Sequence, residues 1–68
     1  MKKIKIQDEN IKLDQLLKLA DLVQSGGHAK ILIQDGLVKV NGVVEYQRGK
    51  KIKAGDQISV EGEVITVT

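Results

Sequence analysis

Apolar and polar positions alternate over residues 2–6, with Ile4 and Ile6 on one side and Lys3 and Lys5 on the other, the pattern of a strand with one buried face. Lysines on such a strand discourage further pairing, so it is expected at a sheet edge. After the polar break QDEN the period changes. In KLDQLLKLADLV, Leu13, Leu16, Leu17 and Ala20 recur at i, i+3, i+4 and i+7, one stripe of a helix. Asp14 lies in its first turn, where negative charge suits the macrodipole. Ser25 then reads as an N-cap, and Gly26 to Asp35 as a second, shorter helix with Ala29, Leu32 and Ile33 on one face and Gly36 as its stop.

Beyond Gly36 the β-branched residues take over. LVKVNGVVEY places valines on both sides of Asn41-Gly42, the strongest short-range signal for a tight hairpin, with Val38 and Val40 facing a core and Lys39 facing solvent. QRGKKIKAGD starts as a loop, with Ile52 turned inward ahead of a turn at Gly55 and Asp56. QISVEGEVITVT reads as two strands about Glu61-Gly62, with Ile58, Val60, Val64 and Val67 expected in the core. The order predicts an α+β fold, two helices packed on a small, mainly antiparallel sheet of about four to five short strands. The 68 residues suit one small domain spanning 1–68.

Composition narrows the function classes. Hydrophobic residues make up 41% of the chain, with one Tyr and no Phe or Trp, so the core is aliphatic. Cysteine is absent and there is one histidine, which leaves no disulfide framework, thiolate ligand or zinc set; neither a metal site nor a cofactor is expected. The N-terminal stretch lacks the apolar core of a signal peptide and no segment is long enough to span a bilayer, so the expected location is cytoplasmic, with no membrane partner.

Catalysis finds few residues to carry it. Ser25 and His28 share a helix face, but an N-cap hydroxyl is normally occupied by a backbone N–H and no third group is placed to orient the imidazole. The carboxylates are spread over turns and helix ends without a paired set, and Gly26-Gly27 belongs to no phosphate-loop fingerprint. No catalytic residue, no enzymatic activity and no small-molecule substrate is expected.

The net charge is only +2, but its distribution is uneven: residues 39–53 hold Lys39, Arg48, Lys50, Lys51 and Lys53 against Glu45, a local +4. A solvated face is the plain reading of such a run. Phosphate contact is the other, and with Tyr46 as the sole aromatic it points to folded RNA read through phosphates and 2′-hydroxyls and not to stacked single strands. Two readings of Gly26-Gly27 likewise stand. They open the backbone at a helix start to a phosphate or sugar edge, flanked by His28 and Lys30, or they let the second helix cross closely over the first.

Taken in order, Lys12-Leu13-Asp14, Leu17, Ser25, Ala29-Lys30, Gly36, Val38-x-Val40-Asn41-Gly42 and Gly55-Asp56 form a set over residues 12–58. This set resembles the small RNA-binding domain named after ribosomal protein S-four, the alpha-L RNA-binding motif. The SGG form at residues 25–27 is similar to its compact, stand-alone bacterial branch of YaaA and YbcJ type, described as ribosome-associated or RNA-binding. The resemblance implies RNA lying across the basic residue before helix one, the start of helix two and the hairpin. By position it marks Lys12, Ser25, Lys30 and Lys39, with Asn41 setting the turn. The family usually has Arg directly after the Ser, where this chain has Gly26. The expected function is thus a non-catalytic RNA-binding module for structured RNA, ribosomal RNA or the ribosome foremost. Its RNA-facing candidates are Lys12, Ser25, Gly26, Gly27, His28, Lys30, Lys39, Arg48, Lys50, Lys51 and Lys53. The alternative is a protein-interaction adaptor that docks a partner on the small sheet's edge.

Overall fold

The computed structural model describes residues 2–68. Its elements in chain order are β1 (Lys2–Ile4), β2 (Ile11–Lys12), α1 (Leu13–Leu19), α2 (Gly26–Gln34), β3 (Val38–Val40), β4 (Val43–Val44), β5 (Lys51–Ile52), β6 (Gln57–Val60) and β7 (Glu63–Val67). Five strands form one sheet in the order β1-β7-β6-β3-β4, in which β1 runs parallel to β7 and every other pair is antiparallel. The two helices bury their apolar stripes on this sheet: Leu13, Leu16, Leu17, Ala20, Ala29, Leu32 and Ile33 meet Val38, Ile58, Ile65 and Val67 in one aliphatic cluster.

A second sheet, β2 with β5, was outside the expected pattern. Each of its strands has two residues, too short for a periodicity to register, and what holds them is the pairing of Ile11 with Ile52 and of Lys12 with Lys51. Ile52 is fully buried, as its place in the loop implied.

Both helices end in the same backbone motif. After α1, the Asp21 N–H donates to the Lys18 carbonyl and the Leu22 N–H to the Leu17 carbonyl, both at 3.0 Å. After α2, the Gly36 N–H donates to Ile33 and the Leu37 N–H to Leu32, both at 3.1 Å. This is the Schellman arrangement, which needs a left-handed residue just past the cap. Gly36 fills it at φ 75°, but after α1 Asp21 does so at φ 62°. The stop of α1 therefore carries no glycine signal, and the helix ends at Leu19, short of the apolar run that reaches Val23. Its last turn gains a cation instead: Lys2 Nζ donates to the Ala20 carbonyl at 2.6 Å, tying the edge strand to the negative end of the helix.

Two tight turns close the hairpins. Asn41 and Gly42 (φ 52° and 85°) and Glu61 and Gly62 (φ 49° and 85°) both have two consecutive left-handed residues, the geometry that matches strand twist. The expectation of Val64 in the core is corrected. Side chains alternate along β7, so Ile65 and Val67 share the inner face, fully buried, while Val64 is half-buried on the other. Val64 and Val67 are three apart and no strand can bury both on one face. Both sheet edges are poor templates for an added strand, since β1 carries lysines and β4 is two residues long.

The register is directly testable. Replacing Ile65 by Ala should destabilise the fold by about 2–5 kcal/mol and Val64 by Ala by about 1 kcal/mol or less, measured by urea unfolding. Equal costs would contradict the assigned inner face.

Candidate nucleic-acid interface

Lys12 occupies the N-cap position of α1 in extended backbone (φ −69°, ψ 146°), and its side chain caps nothing. The first helical N–H groups find partners elsewhere. Leu13 donates to the Lys50 carbonyl at 2.9 Å, Asp14 to the Arg48 carbonyl at 3.1 Å, and Gln15 to the carboxylate of Asp14 at 2.8 Å. With the Lys12–Lys51 register of β2 and β5, these bonds bring the backbones of Lys12, Arg48, Lys50 and Lys51 together, and all four residues are exposed. Lys53 joins them as a lining residue of the groove that also holds Lys50 and Lys51.

The charge of this groove differs from the charge of its chain segment. Glu9 and Asp56, from outside that segment, line it with Glu45 beside the three lysines, so the lining is formally neutral although residues 39–53 sum to +4. Asp56 is fixed among them. Partial burial pushes its carboxyl up, but the Lys53 N–H, the Asn41 amide and the charges of Lys53 and Lys50 outweigh this and hold it below its ordinary value of 3.8.

The start of α2 forms a separate piece. Ser25 Oγ accepts the His28 N–H at 3.2 Å, so the hydroxyl is engaged as the helix cap. Ser25, Gly27, His28 and Lys30 are exposed and Gly26 is half-buried. The close-crossing reading of the two glycines is corrected: a Cβ at Gly26 would have nothing within 4 Å, and one at Gly27 would meet only Ser25 Oγ at 3.8 Å. Neither has left-handed backbone, so neither packing nor conformation demands glycine here. Among the described residues, no hydrogen bond joins residues 25–30 to the basic loop.

Lys39 lies apart from both. It alternates with Val38 and Val40, which face the helices, and pairs with Ser59 and Val44 on the sheet's other face. Asn41 has a structural role: its side chain bonds Asp56 and Gln57 across the turn. Sequence reasoning missed Lys2, whose ammonium is committed to α1, and missed that Glu9 and Asp56 enter the basic groove. The Lys12–Lys51 pairing had no local signal.

The family model of the S4 domain matches residues 4–68 of this chain. A Bacillus subtilis (strain 168) protein named "Probable ribosome maturation protein RlbA" is 46% identical over 59 residues, covering 87% of this chain and 83% of that one. The solution structure of YbcJ from Escherichia coli, described as revealing an alfaL motif involved in RNA-binding, matches with a TM-score of 0.77 at 38% identity. That match covers 100% of this chain and 87% of the other. The trimeric structure of Vibrio cholerae heat shock protein 15 matches with a TM-score of 0.71 at 25% identity, over 81% of this chain and 55% of that one.

Two measurements check the geometry. Gly26→Ala and Gly27→Ala should each leave stability unchanged or raise it by up to about 0.5–1 kcal/mol, because Ala orders the helix at lower entropic cost where space is open. For Asp56, a folded-state value below the unfolded one means stability present above pH 3.8 and lost as pH falls through the folded value. Asp56→Ala, which removes the acceptor of the Asn41 and Lys53 hydrogen bonds, should cost about 1 kcal/mol at neutral pH, with the gap to wild type narrowing in acid when unfolding is followed across pH.

Proposed function

The chain belongs to the S4 domain family, and from that premise we propose that it is a non-catalytic module that binds structured RNA, with ribosomal RNA or a ribosomal particle as its target. The observation that carries this reading is the gathering of the backbone segments that bear the exposed Lys12, Arg48, Lys50 and Lys51 by two backbone hydrogen bonds and a strand pairing. Such a cluster engages phosphates, and with a single aromatic residue the recognition rests on helical RNA geometry. The ribosomal target is supported by the relative named for ribosome maturation, and RNA as ligand by the RNA-binding motif described for YbcJ.

The residues proposed to meet RNA are Lys12 and the loop cations Arg48, Lys50, Lys51 and Lys53, with Ser25, Gly26, Gly27, His28 and Lys30 at the open start of α2. Lys39 would contact RNA only where the ligand reaches the outer sheet face. No step of bond making or breaking is assigned: the Ser25 hydroxyl that a nucleophile would require already serves the helix. Among the described residues, no helix is long and apolar enough to cross a membrane.

Binding of an RNA stem-loop should weaken steeply with salt, with a log–log slope of about −3 to −4 if about four cations engage phosphates. Lys12→Ala with Lys30→Ala should weaken binding about tenfold and flatten that slope by about two while the fold is retained by circular dichroism. Salt-independent binding would overturn the electrostatic reading. Crosslinking in cells followed by sequencing of the attached RNA tests the target, and enrichment of RNA other than ribosomal would redirect it.

A further inference from the structure

The hairpin tip and the basic loop are joined by a reciprocal set of hydrogen bonds. Asn41 Nδ2 donates to Asp56 Oδ1 at 3.1 Å, the Gln57 N–H donates to Asn41 Oδ1 at 2.9 Å, and the Asn41 N–H donates to the Gln57 carbonyl at 2.7 Å. The other carboxylate oxygen, Asp56 Oδ2, accepts the Lys53 N–H at 2.9 Å, and the Asp56 N–H returns to the Lys53 carbonyl at 3.1 Å. One carboxylate thus closes the turn of residues 53–56, and one carboxamide fastens that turn to β3, which the core holds through Val38 and Val40.

We propose that Asn41 and Asp56 form a clamp that positions Lys53 relative to Lys50 and Lys51 for the phosphates of RNA, an inference that rests on the RNA-binding reading above. An acid in a phosphate-binding loop opposes its ligand by Coulomb repulsion, so its net value must lie elsewhere. That value is order. Gly55 in this turn has φ 99°, a backbone with wide freedom, and a loose turn would let Lys53 wander relative to Lys50 and Lys51, which the α1 cap and the β2–β5 pairing already hold. Each phosphate contact would then carry the entropy of fixing the loop at the moment of binding. With the clamp in place, that ordering is already present in the free protein. Asn41 and Asp56 are positioning residues and touch no RNA themselves.

The charge and positioning roles of Asp56 predict opposite signs. The experiment measures binding of a labelled RNA stem-loop to the full chain over a salt series, with thermal unfolding recorded for each variant. Asn41→Gly keeps a residue suited to the left-handed turn and changes no charge. It should weaken binding about three- to fivefold and make the salt slope less steep by about one. Asp56→Ala should also weaken binding although it removes a negative charge. Asp56→Asn keeps an acceptor for the Lys53 N–H but sets an amide N–H against Asn41 Nδ2, so it retains half of the clamp and should bind more tightly than Asp56→Ala.

Tighter binding by Asp56→Ala than by wild type, weaker binding by Asp56→Asn than by Asp56→Ala, or a folded Asn41→Gly protein with unchanged affinity and slope would each overturn the clamp. If Asn41→Gly does not fold, the sign of the Asp56→Ala effect decides the matter. Wild-type protein that shows no salt-dependent binding of the stem-loop overturns the RNA reading, and the clamp with it. Wild-type binding with indifferent variants overturns the clamp alone.

Discussion

The N-terminus of α1 is satisfied by the backbone of a loop about 35 residues away, and the rest of the candidate surface depends on that fact. A helix start leaves several N–H groups without intrahelical partners. Most chains meet them with a Ser, Thr, Asp or Asn side chain; this one has Lys12 there and no side-chain cap. The carbonyls of Arg48 and Lys50 take the place of the cap. Losing either bond would leave a helical donor unpaired beside a core that begins at the fully buried Leu13. The loop is therefore fixed by the helix's own requirement, and its cationic side chains are carried along.

This arrangement sets electrostatics against stability. A helix N-terminus already bears partial positive charge, and Lys12, Arg48, Lys50 and Lys51 add to it. Asp14 in the first turn and Asp56 in the groove relieve part of the strain. A sequence selected for stability alone would place acids where these lysines stand. Positive charge concentrated against that preference, on backbone held by hydrogen bonds, is what an anionic partner with a regular phosphate spacing would require.

Much of the fold was legible because it is written in local signals. The stripe Leu13, Leu16, Leu17 and Ala20 is wholly buried, Ser25 caps α2, Gly36 ends it, and Asn41-Gly42 turns the hairpin. The failures have two kinds of cause, local geometry that no glycine or periodicity announced and partners distant in the chain. Asp21 adopts left-handed backbone because the packed α1 must end there, and no glycine announces it. The two-residue strand β2 exists through β5, and Val64 yields the core to Ile65 through the alternation imposed by β6. At the site, the segment charge of residues 39–53 was readable, but the acids that fold back onto it were not.

The scarcity of aromatics and the hydrogen-bonded loops belong to one design. With Tyr46 as the sole aromatic side chain, base stacking can supply little of the binding, and the spacing of cations in three dimensions carries more of it. Lysine and arginine tips are mobile, so spacing can be set only at the backbone from which they project. Here that backbone is fixed at three points: the carbonyls that cap α1, the β2–β5 pairing, and the bonds from Asn41 and Asp56. A chain of 68 residues has little core with which to brace a surface, and backbone hydrogen bonds between distant segments supply that bracing. Lys39 lies on the outer sheet face, outside this braced set.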